Sequence, residues 1–381
     1  MTTIGLNLLY LVPGKVGGTE VYARRLLHAL AEARPDWRFV AYCGAEAEAS
    51  LEREHWPANV RLQAAPRPSA EKVSRAALEL TWLPLRTWQD GIDLLHSLGT
   101  TSPRISRCPR IVTVHDLIYL HYPETFPRAA RLALKAIVGP GARHAARVLA
   151  DSEAGKNDIV ANLGVAADRI DVVYLGCNIT RVEPTAEAEI RARFALGEQR
   201  ICLCVSAALV HKNLEALIRA FGQLATRRPE LSLVIAGHAG REHDRLRTQA
   251  DGTEHGDRIT LTGWISDADL EGLYAAADCC VYPSLLEGFG LPVLEAMGRG
   301  VPIACSDSSS LPEVAGDAAE LFDARNERSM GSAIERVLDD REHADELVRR
   351  GRARVSRFTW DHCARSTIAS YERVLGWSET R

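Results

Sequence analysis

Residues 282–295 read Tyr-Pro-Ser-Leu-Leu-Glu-Gly-Phe-Gly-Leu-Pro-Val-Leu-Glu, and this stretch decides the fold. The apolar run Cys279–Tyr282 predicts a short strand that ends at Pro283. Glu287 then sits on a polar corner, and Gly288 and Gly290 bracket Phe289. From Leu291 the apolar spacing becomes helical through Leu294 and Met297, until Gly298 and Gly300 stop it. A strand, a glycine turn and a helix start aim unpaired backbone N–H groups and a positive helix end at one spot, which favours an anion. Glu287 lies just before that spot and Glu295 about a turn and a half inside the helix. Either acid alone reads as a solvated carboxylate, and the glycines alone as a tight turn. The pair carries more, because the next strand, Val301–Cys305, follows in place.

Outward from this stretch, strand-like runs recur at Ile201–Val205, Leu231–Ala236, Ile259–Leu261 and Ala319–Phe322. The first leads into Ser206-Ala-Ala-Leu-Val-His-Lys-Asn, with Leu214, Leu217, Ile218 and Phe221 as the apolar side of the next helix. Lys212 stands just before that helix, where the dipole disfavours a cation, so an anionic partner is expected for it. Gly237 and Gly263-Trp264-Ile265 close two of the other strands. Asp267-Ala-Asp269 spells a metal-binding pattern but opens an amphipathic helix, where acidic caps are expected; it is read as a cap, with no metal required.

The first half shows the same alternation. Ile4–Leu11 predicts a strand, Pro13–Thr19 a turn rich in glycine (Gly14, Gly17, Gly18), and Glu20–Leu30 a helix burying Val21, Leu26, Leu27 and Leu30. Strands are expected at Arg38–Tyr42, Val60–Gln63, Asp93–Ser97, Arg110–Val114, Arg147–Ala150 and Ile170–Leu175. Such alternation predicts mostly parallel sheets covered on both faces. Ser69–Trp88 carries helical apolar positions (Val73, Ala77, Leu80, Leu83) with Lys72, Arg75 and Arg86, and is read as a core-facing helix, with contact at a membrane surface as the alternative. His115-Asp116 sits at a strand end, where ligands of open α/β sheets collect; Asp116 is expected to cap the next turn. Asp151-Ser152-Glu153 begins a helix with capping chemistry, and Phe358-Thr359-Trp360-Asp361 begins the last one. The polar stretch Arg181–Glu189, with Pro184, reads as a hinge.

The chain has 381 residues, 46% hydrophobic and 25% charged, which is too long for one ordinary core and ordinary in composition. A net charge of −4 argues against a dedicated nucleic-acid binder. Nine scattered cysteines with no zinc-like spacing fit reduced thiols buried as small hydrophobes in a cytoplasmic protein. Residues 4–12 are too short to cross a bilayer.

Glu287 and Glu295, separated by seven residues that include Gly-Phe-Gly-Leu-Pro, match the signature of the retaining GT-B glycosyltransferases of family 4. The chain resembles that family over nearly its whole length, weakly over about 40–100 and most closely over about 200–325. The resemblance implies an α/β fold of two Rossmann-like, doubly wound domains facing across a cleft. Residues 1–180 would be the acceptor-side domain, closed by a C-terminal helix over 359–381, and residues 181–358 the nucleotide-sugar domain. It implies that Lys212 and the N–H groups around Gly288, Phe289, Gly290 and Leu291 hold a diphosphate. Glu287 would then orient the sugar, Glu295 bind the ribose, Gly17 and Gly18 lie near the donor phosphates, and Gly237 help form the wall for the base. His115 would lie against the donor sugar, and its setting before Pro123, Glu124 and Phe126 resembles a branch rich in GDP-mannose users. One departure stands out: where relatives carry an arginine before the lysine, this chain has Ala207, Ala208 and His211. The expected activity is metal-independent, retaining transfer of a hexose, mannose from GDP-mannose first, to a glycan or glycolipid. The nucleotide sugar is a co-substrate and no other cofactor is implied. A peripheral place at the inner face of a membrane is compatible with this. The alternatives are a UDP-, ADP- or dTDP-sugar donor, a catalytically silent nucleotide-sugar-binding partner subunit, or a relative with epimerase or phosphorylase chemistry.

Overall fold

The computed structural model describes residues 1–15, 17–177, 182–240 and 242–376. Two compact units emerge, one made of Met1–Gly176 with the last stretch from Phe358 onward, the other of Cys177–Arg357.

The first unit is built on a parallel sheet of seven strands: β1 (Thr3–Leu8), β2 (Arg38–Cys43), β3 (Val60–Ala64), β4 (Leu94–Ser97), β5 (Arg110–Val114), β6 (Arg147–Ala150) and β7 (Ile170–Val172). Their spatial order is β3-β2-β1-β4-β5-β6-β7, so the winding reverses at the β1/β4 boundary. The second unit has six parallel strands, β8 (Arg200–Val205), β9 (Leu231–Ala236), β10 (Ile259–Gly263), β11 (Cys279–Tyr282), β12 (Ile303–Ser306) and β13 (Glu320–Phe322). Their order is β10-β9-β8-β11-β12-β13, reversing at β8/β11. Open α/β sheets bind ligands at the carboxyl ends of strands flanking such a reversal.

Helices cover both sheets, and the strands are apolar because both faces are buried: every residue of β5, β9 and β11 is buried. The helix Leu214–Arg227 shows how the cover is made. Leu214, Leu217, Ile218, Phe221 and Leu224 form one buried stripe, each worth about 1.5–3 kcal/mol of burial. Seven of the nine cysteines are buried and all nine are free thiols; Cys202 and Cys279 face each other from β8 and β11 with sulfurs 3.6 Å apart. They pack as small hydrophobes.

Several expectations are corrected. β1 stops at Leu8 rather than Leu11, because the Asn7 side chain takes the Leu9 N–H and Leu11 turns back onto the Leu8 carbonyl; Leu9 and Leu11 stay buried all the same. In the following helix, Gly18–Ala33, Leu26, Leu27 and Leu30 are buried as expected, but Val21 is exposed and Tyr22 next to it is the buried residue. Ser69–Trp88 is not one core-facing helix. It is a short helix (Lys72–Ala77), a π-helical turn (Leu78–Trp82) and a second helix (Leu83–Gln89) that bury Leu78, Glu79, Leu83 and Thr87. Val73 is already exposed before the π turn, and the extra residue in that turn rotates the pattern after it, leaving Leu80, Leu85 and Trp88 outward. The side chain of Lys72 lies outside the described residues.

β7 ends at Val172, short of Leu175, and β12 begins at Ile303 after Pro302. Of the expected hinge, Arg181 lies outside the described residues and 182–186 have no regular structure, but a helix already starts at Glu187. That helix gains from Glu187–Arg191 and Glu189–Arg193 ion pairs and from buried Ile190. The last helix, Trp360–Leu375, is capped by Thr359, whose hydroxyl accepts the His362 N–H; residues 377–381 lie outside the described residues.

Candidate functional site

In the second unit, Lys212 and Glu287 come from the loops after β8 and β11, the two strands flanking the winding reversal. The Lys212 Nζ donates to Glu287 Oε1 at 2.6 Å, with the side chains 17% and 15% exposed. Asn213 fixes the lysine's loop. It adopts a left-handed conformation before the helix Leu214–Arg227, and its amide donates to the carbonyls of Pro283 and Ala324. Burial pushes the Glu287 carboxyl up, but the ammonium of Lys212, helped by the Ser284 hydroxyl, outweighs it, and the net shift is below the usual carboxylate range. Glu287 is thus held ionised as an oriented acceptor.

The anion seat of the sequence is the start of the helix Leu291–Arg299. Gly290 precedes it at φ 108°, a conformation that favours glycine, and a side chain there would press on Leu311. No acid occupies the first turn, so the positive helix end is not neutralised from within. Phe289 is buried beneath the turn. Two residues that the sequence pattern did not signal hold it in place. Ser309 donates to the Glu287 carbonyl and accepts its N–H, and Ser310 donates to the carbonyls of Phe289 and Glu287. Both lie on the loop after β12, and only the Ser308-Ser309-Ser310 run hints at them.

Glu295 lies on that helix, partly buried. Among the described residues no donor hydrogen-bonds its carboxylate; Arg299 instead bonds Glu271 and the Glu295 carbonyl. Burial raises the Glu295 carboxyl, Arg299 opposes it and Glu271 adds to it, with a net rise. A carboxylate so placed has its hydrogen-bonding capacity open.

Gly237 ends β9, where a Cβ would lie 2.3 Å from the Ser206 carbonyl oxygen, so only glycine fits; its N–H donates to the Gly263 carbonyl. Trp264 is 76% exposed. Asp267 and Asp269 are not the cap itself. Ser266 caps the helix by accepting the Asp269 N–H, and Asp269 binds Thr185 and Arg193, so both its interactions are structural. His211 is buried and its imidazole is pushed down to about 4, by burial first and then by Lys212. It is neutral near pH 7 and supplies no second positive charge.

In the first unit, Gly17 (φ 60°) precedes the helix that Gly18 begins, with open space where a Gly17 side chain would stand. Val16 lies outside the described residues. His115 follows β5 directly and is buried. Its Nδ1 is 2.7 Å from Asp151 Oδ2 and its Nε2 2.8 Å from the Leu98 carbonyl oxygen. Asp116 accepts the Ile118 N–H and so closes the next turn. Ser152, not Asp151, caps the helix Glu153–Leu163, which leaves Asp151 for the histidine. The sequence around Asp151 signals only a helix cap.

The chain is similar to known proteins. The family model Glycosyl transferases group 1 matches residues 186–354, and the model Glycosyltransferase Family 4 matches residues 16–181. The O-antigen chain mannosyltransferase B of Escherichia coli is 33% identical over 267 residues, 69% of this chain and 70% of that one. The MMP alpha-(1->4)-mannosyltransferase of Mycolicibacterium hassiacum is 29% identical over 351 residues, 81% and 82% of the two chains. Among solved structures, Anabaena Alr3699/HepE in complex with UDP and glucose superposes with a TM-score of 0.73 at 21% identity, covering 98% of this chain and 100% of that one.

Proposed function

Because this chain belongs to glycosyltransferase family 4 and has its GT-B fold, we propose that it moves mannose from GDP-mannose to a glycan or glycolipid hydroxyl with retention of configuration. The observation that carries the reading is the Lys212–Glu287 contact at the winding reversal of the second sheet, beside a helix start with no acid in its first turn. Lys212 and the amides around Gly288, Phe289, Gly290 and Leu291 take the diphosphate, and Glu287 takes sugar hydroxyls. Glu295, whose carboxylate is open, takes the ribose. Gly237 lets the base approach the backbone, and Gly17 and Gly18 do the same for phosphate.

His115 meets a sugar oxygen. Its Nε2–H already donates to Leu98, so that contact is a shared, bifurcated one. In the reaction the bond from the anomeric carbon to the phosphate oxygen breaks. The acceptor oxygen bonds the same face of that carbon, and its proton passes to the departing phosphate. Lys212 stabilises the negative charge that gathers there, which is the largest effect a preorganised cation offers. No metal takes part in this scheme, and the nucleotide sugar is the co-substrate.

Mannose is preferred because of the two mannosyltransferase relatives. A uridine donor is the second reading, favoured by the UDP and glucose in the Anabaena structure. No helix among the described residues is long and apolar enough to cross a membrane. Val73, Leu80, Leu85 and Trp88, more than half exposed, support contact of the first unit with a lipid surface where a glycolipid acceptor would sit. A thermal-shift panel of GDP, UDP, ADP and dTDP with their sugars tests the donor. Stabilisation by guanine ligands is expected, and stabilisation by uridine ligands alone replaces the mannose reading.

A further inference from the structure

We propose that Asp151 is a positioning residue that holds His115 as a doubly protonated imidazole, so that the ring offers substrate oxygen a cationic N–H donor. The inference rests on the reading that His115 meets the donor sugar.

The backbone sets up the pair. Val114 and Ala150 are partners in the β5/β6 register, so the next residues, His115 and Asp151, leave the sheet side by side. Leu98 follows Ser97, the last residue of β4, the other neighbour of β5, where Ser97 pairs with Val112. The Leu98 carbonyl oxygen, 2.8 Å from Nε2, can only accept, so Nε2 carries hydrogen. Nδ1 faces a carboxylate oxygen at 2.7 Å, where two lone pairs would repel, so a second hydrogen lies there. The imidazole, more basic than a carboxylate by about 2.6 units in water, is the member that takes it. The result is an imidazolium–carboxylate pair, neutral as a unit.

The surroundings act on both partners: burial pushes the Asp151 carboxyl up, with the His115 imidazole opposing it. Burial pulls the His115 imidazole down, but the Asp151 carboxylate and the Leu98 carbonyl outweigh it, and the net shift is upward. Asp116 acts on the ring in the same direction. The other groups facing the pair are Tyr22, edge-on to the ring at 4.8 Å, His96 from β4, Tyr10 after β1 with Glu20 beyond it, and Cys363 and Tyr371 from the last helix. Burial holds the three tyrosines and Cys363 protonated and pushes His96 down to about 3, so these five neighbours are uncharged near neutral pH. A charge-assisted N–H donor is roughly twice as strong as a neutral one. It selects an electron-rich oxygen, such as a sugar hydroxyl or a diphosphate oxygen.

The test is a long-range proton–nitrogen NMR titration of the full chain labelled at histidine, between about pH 5.5 and 9. His115 is assigned by the signal lost in His115→Asn. Wild-type His115 is expected to keep both ring nitrogens protonated above neutral pH. In Asp151→Asn the ring should become neutral at least about one unit lower. The alkaline limb of kcat/KM should move down with it, and Asp151→Glu should restore part of both. A neutral, single-tautomer His115 at pH 7 in the wild type overturns the proposal, and so does an unmoved titration in Asp151→Asn. The ring's charge is read without substrate. A chain that shows the imidazolium and transfers no sugar therefore supports the pairing while removing the sugar contact.

Discussion

Replacing Lys212 by Met separates what the lysine does for the fold from what it does for the leaving group. An exposed ion pair is worth about 0.2–1 kcal/mol, and stranding one partner of a fully buried pair costs about 3–5 kcal/mol. With side chains 17% and 15% exposed, the Lys212–Glu287 pair lies toward the buried end but keeps some solvent screening, so a loss of about 2 kcal/mol is expected. For a unit of this size that corresponds to roughly 4–8 °C in Tm. Turnover at saturating donor should fall by about 100- to 1000-fold, the effect of removing one preorganised charge from a developing anion.

The double variant Lys212→Met/Glu287→Gln should recover about 1–2 kcal/mol of the stability, because no carboxylate is stranded, and none of the turnover. Glu287 titrates below its usual range in the fold, so its contribution is full above about pH 4.5 and lost as pH falls through the folded value. Lys212→Met should abolish that acid sensitivity. Urea melts and initial rates at saturating donor measure both effects. Turnover within about twofold of wild type refutes the leaving-group role. A double variant as unstable as the sum of the singles refutes the coupling.

Glu295→Gln should leave stability unchanged or slightly raised, since burial disfavours the charge and no described residue bonds the carboxylate, and should weaken GDP by about 1–2 kcal/mol. Calorimetric titration should show that the preference for GDP over its dideoxyribose analogue vanishes in the variant. Ser310→Ala removes buried bonds to the Phe289 and Glu287 carbonyls and should cost about 1–3 kcal/mol, read from urea melts, with kcat reduced as the turn loosens. His96 and His211 are pushed down to about 3 and about 4, so the unfolded chain binds more protons than the fold below about pH 6.5. Stability should therefore fall on acidification, by up to about 2 kcal/mol per histidine at pH 5, and His96→Asn/His211→Asn should flatten the slope. Trp88→Glu with Leu80→Glu should abolish cosedimentation with anionic vesicles while leaving Tm unchanged, because both side chains are more than half exposed.

The fold was legible because parallel sheets demand continuous apolar strands, and these stand out: Leu231–Ala236 and Arg110–Val114 fall where they are expected. Boundaries failed where a side chain or a proline intervened, as Asn7 does after β1 and Pro302 before β12. Residues 69–88 misled because a π turn inserts one residue into a helical period, which no 3.6-residue template registers. At the candidate site, Lys212 and Glu287 were readable from local dipole and turn chemistry, and the structure brings them together from loops 75 residues apart in sequence. Ser309, Ser310 and Asp151 were not readable as site residues. Their roles depend on which strand ends are neighbours, and that is a property of sheet order rather than of spacing. His211 needed coordinates as well, because its charge is set by burial that composition does not reveal.

The last helix has a consequence for how the protein is made. Tyr371 supplies the hydroxyl that pairs with buried His96, Ser370 bonds Asp171, and Glu372 bonds Arg34, so the earliest part of the chain is completed by almost the latest. At about 5–20 residues per second, a ribosome needs roughly 10–40 s after Gly176 to deliver those partners. Through that interval the nascent first half waits with an unfilled seam beside Trp37 and Tyr22, while the contiguous second half has everything it needs to fold. A gene truncated shortly before Trp360 should thus yield aggregates through its amino-terminal half, although every residue of that half is present.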